Sequence, residues 1–138
     1  IGETYSYDLY TPDEHLSLPG CINHGAVDYY DMAPYVFKNA KVNLNISLRS
    51  IKSGIPLRAF DIMGAGGFLL TNYQADFADC YEPGEDFVYF ESKDDLLNKI
   101  EYYLTHEDER TAIARNGFEK TTAYHTYKHR IEEILSYL

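Results

Sequence analysis

The chain has 138 residues, 45% of them hydrophobic, enough for one domain around one core. A net charge of −10 weighs against a nucleic-acid partner, which needs a basic face, but leaves room for a small anionic ligand held by a few local donors. No stretch reads as a secretory leader and no apolar run approaches membrane-spanning length, so a cytoplasmic protein without a transmembrane segment is expected.

The chain opens abruptly on IGETYSYDLYT, which suggests a domain cut from a longer protein. Residues 5–11 alternate loosely and are rich in Tyr, predicting a strand. Pro, Gly, Asn and Ser through 12–25 predict a loop. Residues 31–40 read as a helix, with Asp31 as its cap and Pro34 tolerated in the first turn. KVNLNIS (41–47) alternates strictly: Val42, Leu44 and Ile46 on one side, Asn43 and Asn45 on the other. That pattern predicts a strand with one polar, partly wet face.

A polar loop over 48–55 leads into a helix over 56–63, with Pro56 suited to its start. GFLLTN (67–72) and FVYF (87–90) read as buried strands. Ser92, ahead of Asp94 and Asp95, caps the next helix. EDERTAIARNG reads as a short helix stopped by Asn116-Gly117. A last helix begins near Thr126, with Ile131, Ile134, Leu135 and Leu138 on one face. Strands alternating with helices predict an α/β domain: a Rossmann-like parallel sheet, flanking helices and a helical C-terminal tail.

Cys21 and Cys80 lie far apart without metal-ligand spacing and read as two reduced thiols. His125 and His129, four apart, lack the companions of a zinc motif and read as helix surface; no metal is expected.

The glycines of MGAGG (63–67) come after a helix and before a strand, the reverse of a dinucleotide-binding fingerprint. They read as a helix C-cap and tight turn. The opposite end of that helix is more informative. SLRSIKSGIP joins a strand to a helix, where open α/β sheets bind ligands, and a helix N-terminus favours an anion. Gly54 permits close backbone approach, and Arg49, Lys52 and Arg58 add cationic donors. Arg58 and Asp61 are three apart. They read either as an ion pair of about 0.2–0.5 kcal/mol or as a phosphate-binding cation beside a carboxylate that accepts ribose hydroxyls.

The ordered series SGIPLRAFD, GAGGFLLTN, EPGEDFVYF and helical tail, within about residues 25–135, resembles the C-terminal half of GT-B fold, group-1 glycosyltransferases. It is most similar to the branch related to spore-maturation glycosyltransferase-like proteins. The resemblance implies a donor-binding domain of an enzyme that transfers a sugar from a nucleoside-diphosphate sugar, with no cofactor and no obligatory metal. In that family two acids are spaced as Ser53 and Asp61 are here. Asp61 would hold the donor ribose, while Ser53 departs from the first acid. The loop at Gly54, Ile55 and Leu57 would offer N–H groups to the diphosphate, with Arg49 nearby and Arg58 as the catalytic cation. Gly25 and Val27 fall where the family's loop touches the base.

The acceptor-binding N-terminal domain does not fit in this length, so residues 1–138 read as a partial, C-terminal domain, inactive alone. The alternative, prompted by Ser53, is a degenerate, non-catalytic module that contacts other proteins.

Overall fold

The structure, a computed structural model, describes residues 1–48, 50, 51 and 53–138. The chain forms two compact units, Ile1–Tyr35 and Val36–Leu138.

In the first unit, β1 (Tyr7–Leu9) pairs in parallel with β2 (Cys21–Asn23), Tyr7 opposite Cys21 and Leu9 opposite Asn23. The stretch read as a loop over 12–25 therefore holds a strand. Three residues are too few to leave a periodic pattern; β2 is fixed by its ladder and by His24 N–H donating to Leu9 O at 2.9 Å. Asn23 Nδ2 donates to the carbonyls of Asp13 (2.9 Å) and Leu16 (3.0 Å), which ties down the intervening chain. Ahead of α1 (Ala33–Asn39), the turn is organised by Asp28 rather than Asp31. Its carboxylate accepts the N–H groups of Tyr30 and Asp31 at 2.9 and 2.7 Å.

In the second unit, β3 (Asn43–Asn45), β4 (Leu69–Asn72) and β5 (Val88–Phe90) form a parallel sheet in that order. Helices α2 (Leu57–Gly64), α3 (Lys93–Thr105) and α4 (Glu107–Tyr124) accompany it, and α2 packs on α4. Parallel strands joined through helices are the expected α/β architecture. Ala59, Ile62 and Met63 of α2 meet Leu69, Phe77, Tyr81 and Phe87 in one core, with the Phe77 and Phe87 rings stacked at 4.6 Å. Ser92 caps α3 as its sequence predicts: its Oγ accepts from Asp95 N–H at 3.1 Å.

Two expectations are reversed. The polar side of 41–47 is the buried one: Asn43, Asn45 and Ser47 are buried, while Ile46 is 65% exposed. Burial is tolerated because the polar groups find partners. Asn43 Nδ2 donates to Phe37 O at 2.8 Å, Asn45 Nδ2 to Thr71 Oγ1 at 3.0 Å, and Ser47 N–H to Asn72 Oδ1 at 2.7 Å. Second, α4 does not stop at Asn116-Gly117 but runs on to Tyr124. Gly117 is buried inside it, where a β-carbon would come within 2.5 Å of Asp86 O. This glycine serves helix packing, not termination.

The last helix, α5 (Tyr127–Leu135), starts from a capping box in which Thr126 and His129 satisfy each other's backbone N–H. It buries no residue: Ile131, Ile134, Leu135 and Leu138 are all exposed. Among the described residues, no helix is long and apolar enough to cross a membrane.

Candidate functional site

The glycines of MGAGG close α2. Gly66 has φ +82°, its N–H bonds Met63 O, and Gly67 N–H bonds Ile62 O, both at 2.9 Å. This paired pattern is a Schellman motif, which satisfies carbonyls left over at a helix end. No ligand role is needed to explain it.

The other end of α2 opens onto a cleft of about 340 Å³. One wall is the segment leaving β3, Asn45–Leu48 with Ile51; the other is Ser53–Pro56 with Arg58. Ligands of open α/β sheets sit at this carboxyl end of the strands. Pro56 is the N-cap of α2 in extended conformation, and its side chain makes no capping hydrogen bond. The first-turn N–H groups of a helix have no intrahelical acceptors and carry partial positive charge.

The structure thus brings Ser53, Gly54, Ile55 and Arg58 to one cleft. Leu57 is exposed and Asp61, one turn along α2, is half-buried; among the described residues neither lines the cleft. Arg49 lies outside the described residues. Gly25 and Val27 belong to the first unit, where Gly25 has φ +74° and its N–H donates to Asn23 Oδ1 at 3.0 Å.

Side chains that the sequence reading passed over hold the cleft's walls. Asn72 Oδ1 accepts Ser47 N–H, Gln74 Oε1 accepts the Ser47 hydroxyl at 3.2 Å, and the Asp76 carboxylate accepts Gly54 N–H. Their only trace in the sequence is polar alternation at 72, 74 and 76 after an apolar strand. Around the cleft, Ile46, Leu48, Ile51 and Leu57 are exposed.

Tyr81 and His125, two of the groups with shifted pKa values, do not line the cleft. Tyr81 is buried with its hydroxyl 2.9 Å from Thr121 Oγ1, and burial pushes its pKa up to about 12. His125 is not helix surface: it ends α4, half-buried against the Phe60 and Tyr81 rings. Burial, then the Arg130 guanidinium 2.7 Å from its Nδ1, pull its pKa down. Cys21 and Cys80 are free. Among the described residues, no three His, Cys, Asp or Glu side chains gather as a metal-holding group.

A family model described as glycosyl transferase-like matches residues 2–136. No curated protein matches the chain. Among solved structures, it is similar to the C-terminal domain of a glycosyl transferase group 1 family protein (LpcC) from Francisella tularensis, with a TM-score of 0.64 at 17% identity. That likeness covers 79% of this chain and 55% of the other, so this chain spans about half the length of its structural relative. The shared feature is the fold, a parallel sheet flanked by helices as in one half of a GT-B fold. With the family pattern running through nearly its whole length, the chain belongs to the glycosyl transferase-like family.

Proposed function

We propose that this chain is the donor-binding, C-terminal part of a cytoplasmic glycosyltransferase, in the branch related to spore-maturation glycosyltransferase-like proteins. It binds a nucleoside-diphosphate sugar, whose sugar passes to an acceptor held by a preceding N-terminal domain. The observation that carries this reading is the cleft at the end of β3, where Arg58 and the start of α2 stand together.

In sugar transfer, charge builds on the departing diphosphate. Fixed donors aimed at that charge lower the barrier. Arg58 supplies a permanent cation, and the first-turn N–H groups of α2, Leu57 among them, supply backbone donors. Asp61 accepts the two ribose hydroxyls. Ser53, a hydroxyl where the family has an acid, hydrogen-bonds the sugar or phosphate without repelling it. The reaction retains configuration and needs no metal, since the cationic donors stand in for one.

Kinetics of an Arg58→Ala variant of the full-length enzyme test the assignment. Loss of one preorganised charge donor lowers kcat by about 10²–10³; unchanged turnover would remove Arg58 from the mechanism.

A second reading is a non-catalytic module that contacts another protein. Ser53 in place of an acid and the exposed Ile46, Leu48 and Leu57 favour it. Nucleotide binding separates the two, because a pure interaction module shows none.

A further inference from the structure

The chain leaving β4 carries a polar side chain at every second position: Asn72, Gln74 and Asp76. Gln74 is extended (φ −145°, ψ 128°), and extended backbone sends alternate side chains to the same side. Asn72 and Gln74 take the N–H and hydroxyl of Ser47; Asp76, in the first turn of the 3₁₀ helix Ala75–Asp79, takes the N–H of Gly54. Ser47 lies on one wall of the cleft and Gly54 on the other. Both walls are therefore tied to one stretch of chain, Asn72–Asp76.

Gly54 sits at φ +88°, and among the described residues nothing lies within 4 Å of the position of a β-carbon there. Ile55 beside it packs against the core, but no described residue packs on that side of Gly54 itself. The Gly54 N–H donates to the Asp76 carboxylate, and a bond to an ionised acceptor is about twice as strong as a neutral one.

We propose that Asp76 is a positioning residue of the donor site: it fixes the Gly54 turn so that Ser53, Ile55 and Arg58 present to the bound diphosphate. This rests on the donor-binding reading for its function, but not for its geometry. Asp76 touches no reacting atom; it acts through the loop.

The test uses the full chain and two variants, Asp76→Ala and Asp76→Asn, with two readouts. The first is amide hydrogen exchange, resolved by residue. In Asp76→Ala the Gly54 amide exchanges about tenfold faster or more, while the amides of Leu70 and Ile62 in the core keep their protection. Asp76→Asn, which retains an oxygen acceptor, recovers much of the protection. The second readout is affinity for UDP, GDP, ADP and dTDP, which in Asp76→Ala falls by about tenfold for whichever nucleotide the wild type binds. Unchanged Gly54 exchange, or core amides that loosen along with it, would overturn the positioning role. So would wild-type affinity in the Ala variant. If the wild type binds no nucleotide, the donor reading fails while the exchange data still decide whether Asp76 holds the loop.

Discussion

Thr71 and Asn45 face each other across the β3–β4 pair, and the Asn45 amide donates to the Thr71 hydroxyl at 3.0 Å in the interior of the sheet. Thr71 is fully buried. Thr71→Val keeps the shape but removes the acceptor, leaving a buried amide donor unpaired. The cost is about 1–3 kcal/mol in urea unfolding. The double variant Asn45→Val/Thr71→Val loses less than the sum of the two single changes, because neither polar partner is left behind.

Gly117→Ala also destabilises, against the usual preference for Ala in helices. Propensity favours Ala by about 1 kcal/mol, but the new methyl meets the Asp86 carbonyl and the Met63 side chain. Forcing α4 away from them costs about 1–3 kcal/mol beyond that gain. Thermal unfolding is expected to fall by several degrees.

These two positions also mark what the sequence conveyed and what it did not. The apolar run at 67–72, the Ser92 cap and the glycines after α2 are local devices, and each reads directly from neighbouring residues. Asn43 and Asn45 read as a wet face, but Phe68 and Thr71, which accept from them in the interior, lie 25 and 26 residues away. Periodicity identifies two faces but cannot tell which is inside when the polar face is fully paired. Gly117 carries the same signal whether it ends a helix or lets two segments touch. At the cleft, Gly54 and Arg58 were legible from their place before and within a helix. Asp76 was not, because polar alternation at 72, 74 and 76 does not reveal a partner 22 residues back.

The pH dependence of stability follows from Tyr81 and His125. Burial raises Tyr81 from 10.0 to about 12, outweighing the lowering by its bond to Thr121. The neutral hydroxyl is thus favoured in the folded state. Its contribution is complete below pH 10 and is lost as pH rises through about 12. His125 runs the other way: burial first, then Arg130, depress it below 6.5, so its contribution holds above pH 6.5 and is lost as pH falls. Thermal midpoints across this range should decline at both edges. Tyr81→Phe should make the alkaline edge shallower, leaving the part due to Tyr103, whose pKa burial also raises, and leave the acidic edge unchanged.

Thr126→Ala removes the cap of α5 and with it about 1 kcal/mol of local helix stability. Since α5 buries no residue, that loss is local. Amides over 129–135 should exchange faster, with little change in the global unfolding midpoint.

The central claim is that the cleft at the start of α2 belongs to a nucleotide-sugar donor site. Ligand-observed NMR against UDP, GDP, ADP and dTDP, beside an Arg58→Ala variant, tests it most directly. The account predicts selective binding of one nucleotide, lost or strongly weakened in the variant. Absence of binding to all four by the full-length protein would contradict it and leave the protein-contact module as the better description.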